Sequence, residues 1–309
     1  MKHALIFLSI CTSFFSNAQS FKEEPVEIGE LKGTLITPEQ ETSKAILMIS
    51  GSGPTDRNGN SALGLNNNSL KMVAHALGNA GYAVLRFDKR GIAESKNAIT
   101  NPTDMRFDDF VSDAKNWLSL LEDSGYSDLV IAGHSQGSLV GILAAQDNKN
   151  VTGFISISGL SEDAGEAIIR QLGMQSPALA EDARVNIDSM KNGHTVNSYS
   201  PYLASLFGPH IQDFLKSYIL YNPSNEVKKL DIPVLIVNGT TDMQVGKDQA
   251  ENLKVAYPDA KLLIIPGMNH VLKDTPENDL TANMATYNNP DLSLSDGLMT
   301  GIIEFLQTL

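Results

Sequence analysis

The chain has 309 residues, 42% of them hydrophobic and 19% charged, with a formal net charge of −13 at pH 7. That length suits one large α/β domain with an insertion, or two small domains. The negative charge argues against nucleic acid and anionic membrane surfaces as partners, and a lone cysteine, Cys11, excludes a disulfide framework.

At the N-terminus, Lys2 and His3 precede the apolar run from Ala4 to Phe15, and Ser16-Asn17-Ala18 places small residues where a signal peptidase reads. The pattern predicts a signal peptide over residues 1–18, cleaved after Ala18. The run is short for a membrane span, so an exported protein with no stable membrane anchor is expected, periplasmic or secreted. The competing readings are a retained anchor and a lipoprotein built on Cys11, where Ile10 occupies the place of a small residue. A mature chain starting at Gln19 has no cysteine, which removes thiol nucleophiles and cysteine-ligated metals.

Short strands are predicted near Val26 to Ile28 and Gly33 to Thr37, and a stronger one over Ala45 to Ile49. Leu70, Val73, Ala74 and Leu77 keep a helical period, ended by Gly81. Ala83 to Phe87 is the next strand. Phe107, Phe110, Val111, Ala114, Trp117, Leu118 and Leu121 mark one face of a long helix. Leu129 to Ala132 and Phe154 to Ile157 read as buried strands, with the helix Ser138 to Gln146 between them. Ile232 to Val237 and Lys261 to Ile265 are further strands; Lys247 to Ala256 and Gly297 to Leu306 are helices. Alternating apolar strands and amphipathic helices predict a mostly parallel sheet covered on both faces, with ligands at the carboxyl ends of its strands. Residues 160–230 break the alternation and read as short helices around Ala167/Ile168/Leu172 and Ile211/Phe214/Leu215/Tyr218/Ile219, a helical lid set into a core of residues 19–159 and 231–309. The alternative for this insert is an independent appendage.

Gly133-His134-Ser135-Gln136-Gly137 has the pattern G-x-S-x-G between a strand and a helix, the context of a nucleophile elbow. Glycines beside the serine let strand and helix approach closely, and the helix start offers unpaired N–H groups to a developing negative charge. A Gly-rich turn holding an incidental serine is the competing reading. A serine nucleophile needs a base, and histidine has the right pKa. His3 leaves with the leader. His75 is expected on the solvated side of its helix, and His134, beside the serine in sequence, is expected to point elsewhere. His194 and His210 lie in the insert. His270, on the loop Pro266-Gly267-Met268-Asn269-His270 after a late strand, is the candidate base. Asp242, just past the strand Ile232 to Val237, is the candidate acid that orients it, with Glu162 or Asp163 as rivals. The oxyanion donors are expected from the Gln136 amide and the Ser52 amide, with Gly53 as the alternative to Ser52.

Beyond the elbow, Asp88-Lys89-Arg90-Gly91-Ile92-Ala93-Glu94-Ser95 is similar to a D-x-R-G-x-G-x-S loop, with Ala93 where the last glycine is usual. Gly51-Ser52-Gly53-Pro54 resembles an oxyanion loop whose usual His-Gly opening is replaced by Ser50-Gly51. The run from Ser50 to Asn60 looks like that of a subgroup of exported or bacterial esterases. Nearly all the mature chain thus resembles α/β hydrolases of the serine esterase and serine aminopeptidase-like group. Their chain order, serine then acid then histidine, is that of Ser135, Asp242 and His270. The resemblance implies an α/β-hydrolase fold and the same triad. A serine nucleophile disfavours the dehalogenase and epoxide hydrolase branches, which use aspartate.

The expected activity is hydrolysis of small or medium carboxylic esters through an acyl-enzyme, with a small-molecule ester as partner. No metal-ligand spacing or cofactor motif stands out. Two alternatives remain. An aminopeptidase or amidase would bind a substrate amine through insert carboxylates such as Glu162, Asp163, Glu166, Glu181 and Asp182. A catalytically silent binding protein would use the fold without the chemistry.

Overall fold

The computed structural model describes residues 20–146 and 148–309; the expected signal peptide and Cys11 lie outside the described residues. Strands β1 (Phe21–Ile28) and β2 (Leu31–Pro38) form an antiparallel hairpin turned at Gly29, whose φ is +58°. Then follow β3 (Lys44–Ile49), α1 (Ser69–Asn79), β4 (Ala83–Phe87), α2 (Phe107–Asp123), β5 (Asp128–His134), α3 (Gln136–Ala145) and β6 (Val151–Ile157). A helical segment comes next: α4 (Ala164–Gln175), α5 (Pro177–Lys191), α6 (Ala204–Phe207), α7 (Gln212–Tyr218) and α8 (Pro223–Val227). The chain closes with β7 (Val234–Gly239), α9 (Lys247–Ala256), β8 (Lys261–Ile265), α10 (Leu280–Ala285) and α11 (Leu298–Leu306).

The strands form one sheet in the order β1-β2-β4-β3-β5-β6-β7-β8. β2 is antiparallel to both its neighbours, and β4, β3, β5, β6, β7 and β8 run parallel. The central strands are nearly continuous apolar runs because each face of the sheet has its own core. Alternate residues go to opposite faces. Leu47, Ile49, Leu85, Leu129, Ile131 and Phe154 pack with Trp117 and Leu118 of α2 and Leu139 and Ile142 of α3. Ile46, Met48, Val84, Val130 and Ile155 pack with Val73 and Leu77 of α1 and Ile302 and Phe305 of α11. This two-faced burial fixes the strand register, and with it the heights at which Ser135, Asp242 and His270 leave the sheet.

Three differences from the sequence reading have physical causes. β7 begins at Val234, not Ile232, because Pro233 has no N–H for the ladder; its carbonyl still accepts from the Phe154 amide at 3.0 Å. β1 runs back to Phe21 through Lys22, Glu23, Glu24 and Pro25, a charged edge that hides strand character. The 15-residue helix α5 was not foreseen: it buries only Ala183, Asn186, Ile187 and Met190, too narrow a stripe for a clear period. Its start was readable, since Ser176 caps it and Pro177 occupies the first turn.

Candidate active site

Ser135 sits between β5 and α3 at φ 54°, ψ −120°, a backbone conformation costly for a residue with a side chain. The turn is over-determined by its neighbours. The Ser135 amide donates to the Ile157 carbonyl at 2.9 Å, and the Ser138 amide donates to the Ser135 carbonyl at 2.9 Å. The flanking glycines serve close approach: a Cβ on Gly133 would lie 2.2 Å from the Gly137 carbonyl oxygen, and one on Gly137 would lie 2.4 Å from that of Ile49. Strand and helix therefore close on each other, and Ser135 is left half-buried at the carboxyl edge of the sheet.

The loops after β7 and β8 bring Asp242 and His270 together. They are laced by the Thr240 amide on the Ile265 carbonyl and the Thr241 amide on the Met268 carbonyl, each at 3.1 Å. His270 Nδ1 lies 2.8 Å from Asp242 Oδ2. The other carboxylate oxygen accepts the Gln244 and Val245 amides at 2.9 Å each. Burial works against the Asp242 charge, but the His270 imidazole, with the Val245 amide, outweighs it and holds the carboxyl below its usual range. The rival acids are engaged elsewhere. Glu162 accepts from Arg170 Nε at 2.7 Å, and Asp163 caps α4 and pairs with Lys191 at 3.0 Å.

Two histidines differ from expectation. His134 does not point away from the site. Its ring lies 4.8 Å from that of His270, and its Nε2 donates to the His270 carbonyl at 2.9 Å. Burial, then repulsion from His270, pushes its pKa down to about 3, so it is a neutral prop beneath the His270 loop. The clue was in β5: Val130, Ala132 and His134 alternate onto one face. His75 is not simply solvated either; its Nε2 is 3.1 Å from Glu23 Oε1, which also binds Arg86, and its ring meets Phe21 edge-on. His194 and His210 are exposed on the helical segment.

Ser135 opens on two cavities. One, of about 90 Å³, is lined by Ser135, His270, His134, Ser52, Gln244 and Tyr287 among others. Serine and imidazole share it without a hydrogen bond between them among the described contacts. The other, of about 360 Å³, lies between Ser135 and the helical segment, with Ala167, Ile168, Leu206, Phe214 and Leu215 among its walls. Ser52, Gly53 and Gln136 also face it, and no carboxylate lines it. Neither the Ser52 nor the Gln136 amide has an acceptor among the described residues. Among the described residues, no group of three or more His, Cys, Asp or Glu is arranged to hold a metal.

Known proteins agree with this architecture. The model of the alpha/beta hydrolase fold family matches residues 59–187. Esterase EstD of Thermotoga maritima is 25% identical over 274 residues, covering 85% of this chain and 64% of that esterase, so the chain spans just under two thirds of its length. A solved esterase of Pyrococcus furiosus is similar over 94% of this chain and 91% of its own, with a TM-score of 0.59 at 18% identity. Est1E from Butyrivibrio proteoclasticus, solved with ferulic acid, is similar over 92% of this chain and 99% of its own, with a TM-score of 0.57 at 18% identity. A puromycin-hydrolyzing peptidase of Mycobacterium tuberculosis is similar over 84% of this chain but 38% of its own, with a TM-score of 0.55 at 19% identity. At such identities the structural likeness is one of fold. Sheet order, elbow and the family match over residues 59–187 together give the chain an α/β-hydrolase fold.

Proposed function

We propose that the protein is a serine esterase that hydrolyses small to medium carboxylic esters through an acyl-enzyme. Ser135 Oγ attacks the ester carbonyl while His270 Nε2 takes its proton. The Ser52 and Gln136 amides receive the oxyanion. His270 then protonates the departing alcohol, and water, activated by the same imidazole, releases the acid. Asp242 holds His270 in the tautomer that leaves Nε2 free to accept. The observation that carries this reading is the 2.8 Å bond between His270 and Asp242, whose imidazole shares a cavity with the serine of the strained elbow. The absent Ser135–His270 bond is compatible with it, since such contacts often tighten only when substrate binds.

The apolar walls of the 360 Å³ cavity suit an acyl chain. Its lack of carboxylates favours an ester over a substrate with a free amine, as does the name of the Thermotoga relative. Residues 160–230 act as a lid in this proposal, and residues 1–18 direct export, supported by the basic start, the apolar run and the small residues before Gln19. The assay compares p-nitrophenyl acetate and butyrate with aminoacyl anilides. Ester turnover that exceeds anilide turnover is expected. Anilide cleavage with negligible ester cleavage would replace the esterase reading with the peptidase one, and neither activity would leave a binding protein on this fold.

A further inference from the structure

The reaction as proposed leaves Lys89 without a task. It follows β4, is 3% exposed, and buries its ammonium beside the loop that holds Ser52. Nζ donates to the Gly53 carbonyl at 2.9 Å and to the Gly51 carbonyl, the two residues flanking Ser52. It also lies 5.8 Å from the centre of the Phe110 ring. The nearby carboxylates are engaged by other cations: Asp88 by the Arg57 guanidinium at 3.0 Å, Asp113 by Arg90 Nε at 2.7 Å. Among the described residues Lys89 has no ion-pair partner. Burial pushes its pKa down to about 7, with Asp88 opposing in part. A buried cation without a counter-ion costs stability, and its hydrogen bonds converge on a single loop.

We infer that Lys89 is a positioning residue that aims and polarises the Ser52 amide as an oxyanion donor. The inference rests on the esterase reading above. The Gly51 C=O and the Ser52 N–H belong to one planar trans peptide, so they point in opposite directions. Anchoring that carbonyl on Lys89 turns the N–H away from the lysine, and Ser52 faces the cavity it shares with Ser135. The second bond, to Gly53, fixes the Gly53–Pro54 peptide one residue further on, while Thr55 Oγ1 holds the Ser52 carbonyl between them at 2.9 Å. Without Lys89, neither the Gly51 nor the Gly53 carbonyl keeps this anchor, and both belong to glycines, whose backbone turns most easily. Gly51 sits against the elbow, where a Cβ would lie 3.2 Å from Ser135 Cβ and 3.2 Å from His134 Nδ1, so a small rotation of this peptide matters to the nucleophile. In its protonated form Lys89 also draws charge through the amide and strengthens its N–H as a donor, most when negative charge develops opposite it.

The test uses K89M in the full-length protein, with p-nitrophenyl butyrate as substrate and butylboronic acid as a mimic of the tetrahedral intermediate. The expected result is a kcat lower by about 10- to 100-fold, less than the loss from deleting a donor outright. KM should change little, the boronate Ki should rise by a similar factor, and the melting curve should remain cooperative. K89Q, whose amide keeps a donor without the charge, should fall between K89M and wild type, and it carries the test by itself if K89M does not fold. A folded variant with kcat and boronate Ki within twofold of wild type overturns the inference. So does a loss confined to KM, or a lower kcat with unchanged boronate Ki. Wild-type protein without ester turnover refutes the esterase reading itself, a result recognisable before any variant is made.

Discussion

The elbow and the helical segment from α4 to α8 face each other across one cavity, yet they are held by opposite means. The elbow is fixed by backbone: a strained φ at Ser135, main-chain hydrogen bonds, and glycines where a single methyl would collide with a carbonyl. The helical segment is held by side chains. Gln212 satisfies the Val196 amide and the Val196 and Phe207 carbonyls, Lys191 joins Asp163 to Glu166, and Tyr218 stacks on Phe107 of α2 with ring centres 4.4 Å apart. Chemistry placed on backbone geometry tolerates almost no substitution. A wall made of side chains can be re-cut without moving Ser135.

The sharpest way to break this contrast is Asp242→Asn, which should lower kcat by about 10³- to 10⁴-fold with the fold intact. Glu162→Gln and Asp163→Asn, on the helical segment, should stay within about threefold of wild-type kcat. Loss in either of those with a normal Asp242→Asn would move the acid off the loop after β7. Glycine-to-alanine substitution separates the regions by sign. Gly137→Ala should lower unfolding free energy by about 3 kcal/mol, because its methyl meets the Ile49 carbonyl. Gly173→Ala in α4, where the methyl would find only Ala180 at 3.8 Å, should raise it by up to about 1 kcal/mol. Urea titrations of the two variants decide the point.

His134 sharpens the comparison through pH. Its folded pKa of about 3 lies below the unfolded value, so the unfolded chain binds a proton first as pH falls. Its contribution to stability is therefore complete above about pH 6.5 and is lost as pH falls toward 3. Between pH 7 and 5 the wild type should lose about 2 kcal/mol more stability than His134→Gln; equal losses would mean that this ring is not held neutral. The smallest expected effect belongs to the wall. Ile168→Ala should raise the hexanoate-to-acetate ratio of kcat/KM by about three- to tenfold with acetate turnover nearly unchanged, which a panel of p-nitrophenyl esters would measure. An unchanged ratio would put the acyl chain elsewhere.

Legibility in the sequence follows the same division. β4, α9 and β8 have the ends read from composition, because apolar runs bounded by breakers leave little choice. That Ser135, Asp242 and His270 share one edge was legible because each follows a strand of a parallel sheet, where topology dictates one edge. α5 and α10 were not, since narrow or short apolar stripes mean something only against the partners they pack on. The inward turn of His134 was missed for another reason: adjacency to the nucleophile in sequence says nothing about direction, whereas strand alternation does. Lys89 was visible as part of a loop motif, but its grip on Gly51 and Gly53 joins residues 38 and 36 positions apart.

The most direct measurement is fluorophosphonate labelling of the purified protein, read by peptide mass spectrometry beside His270→Ala. The account predicts one adduct, on Ser135 Oγ, formed rapidly in the wild type and at least about a hundredfold more slowly without the imidazole. No adduct on Ser135, or labelling at the same rate in both proteins, would contradict it.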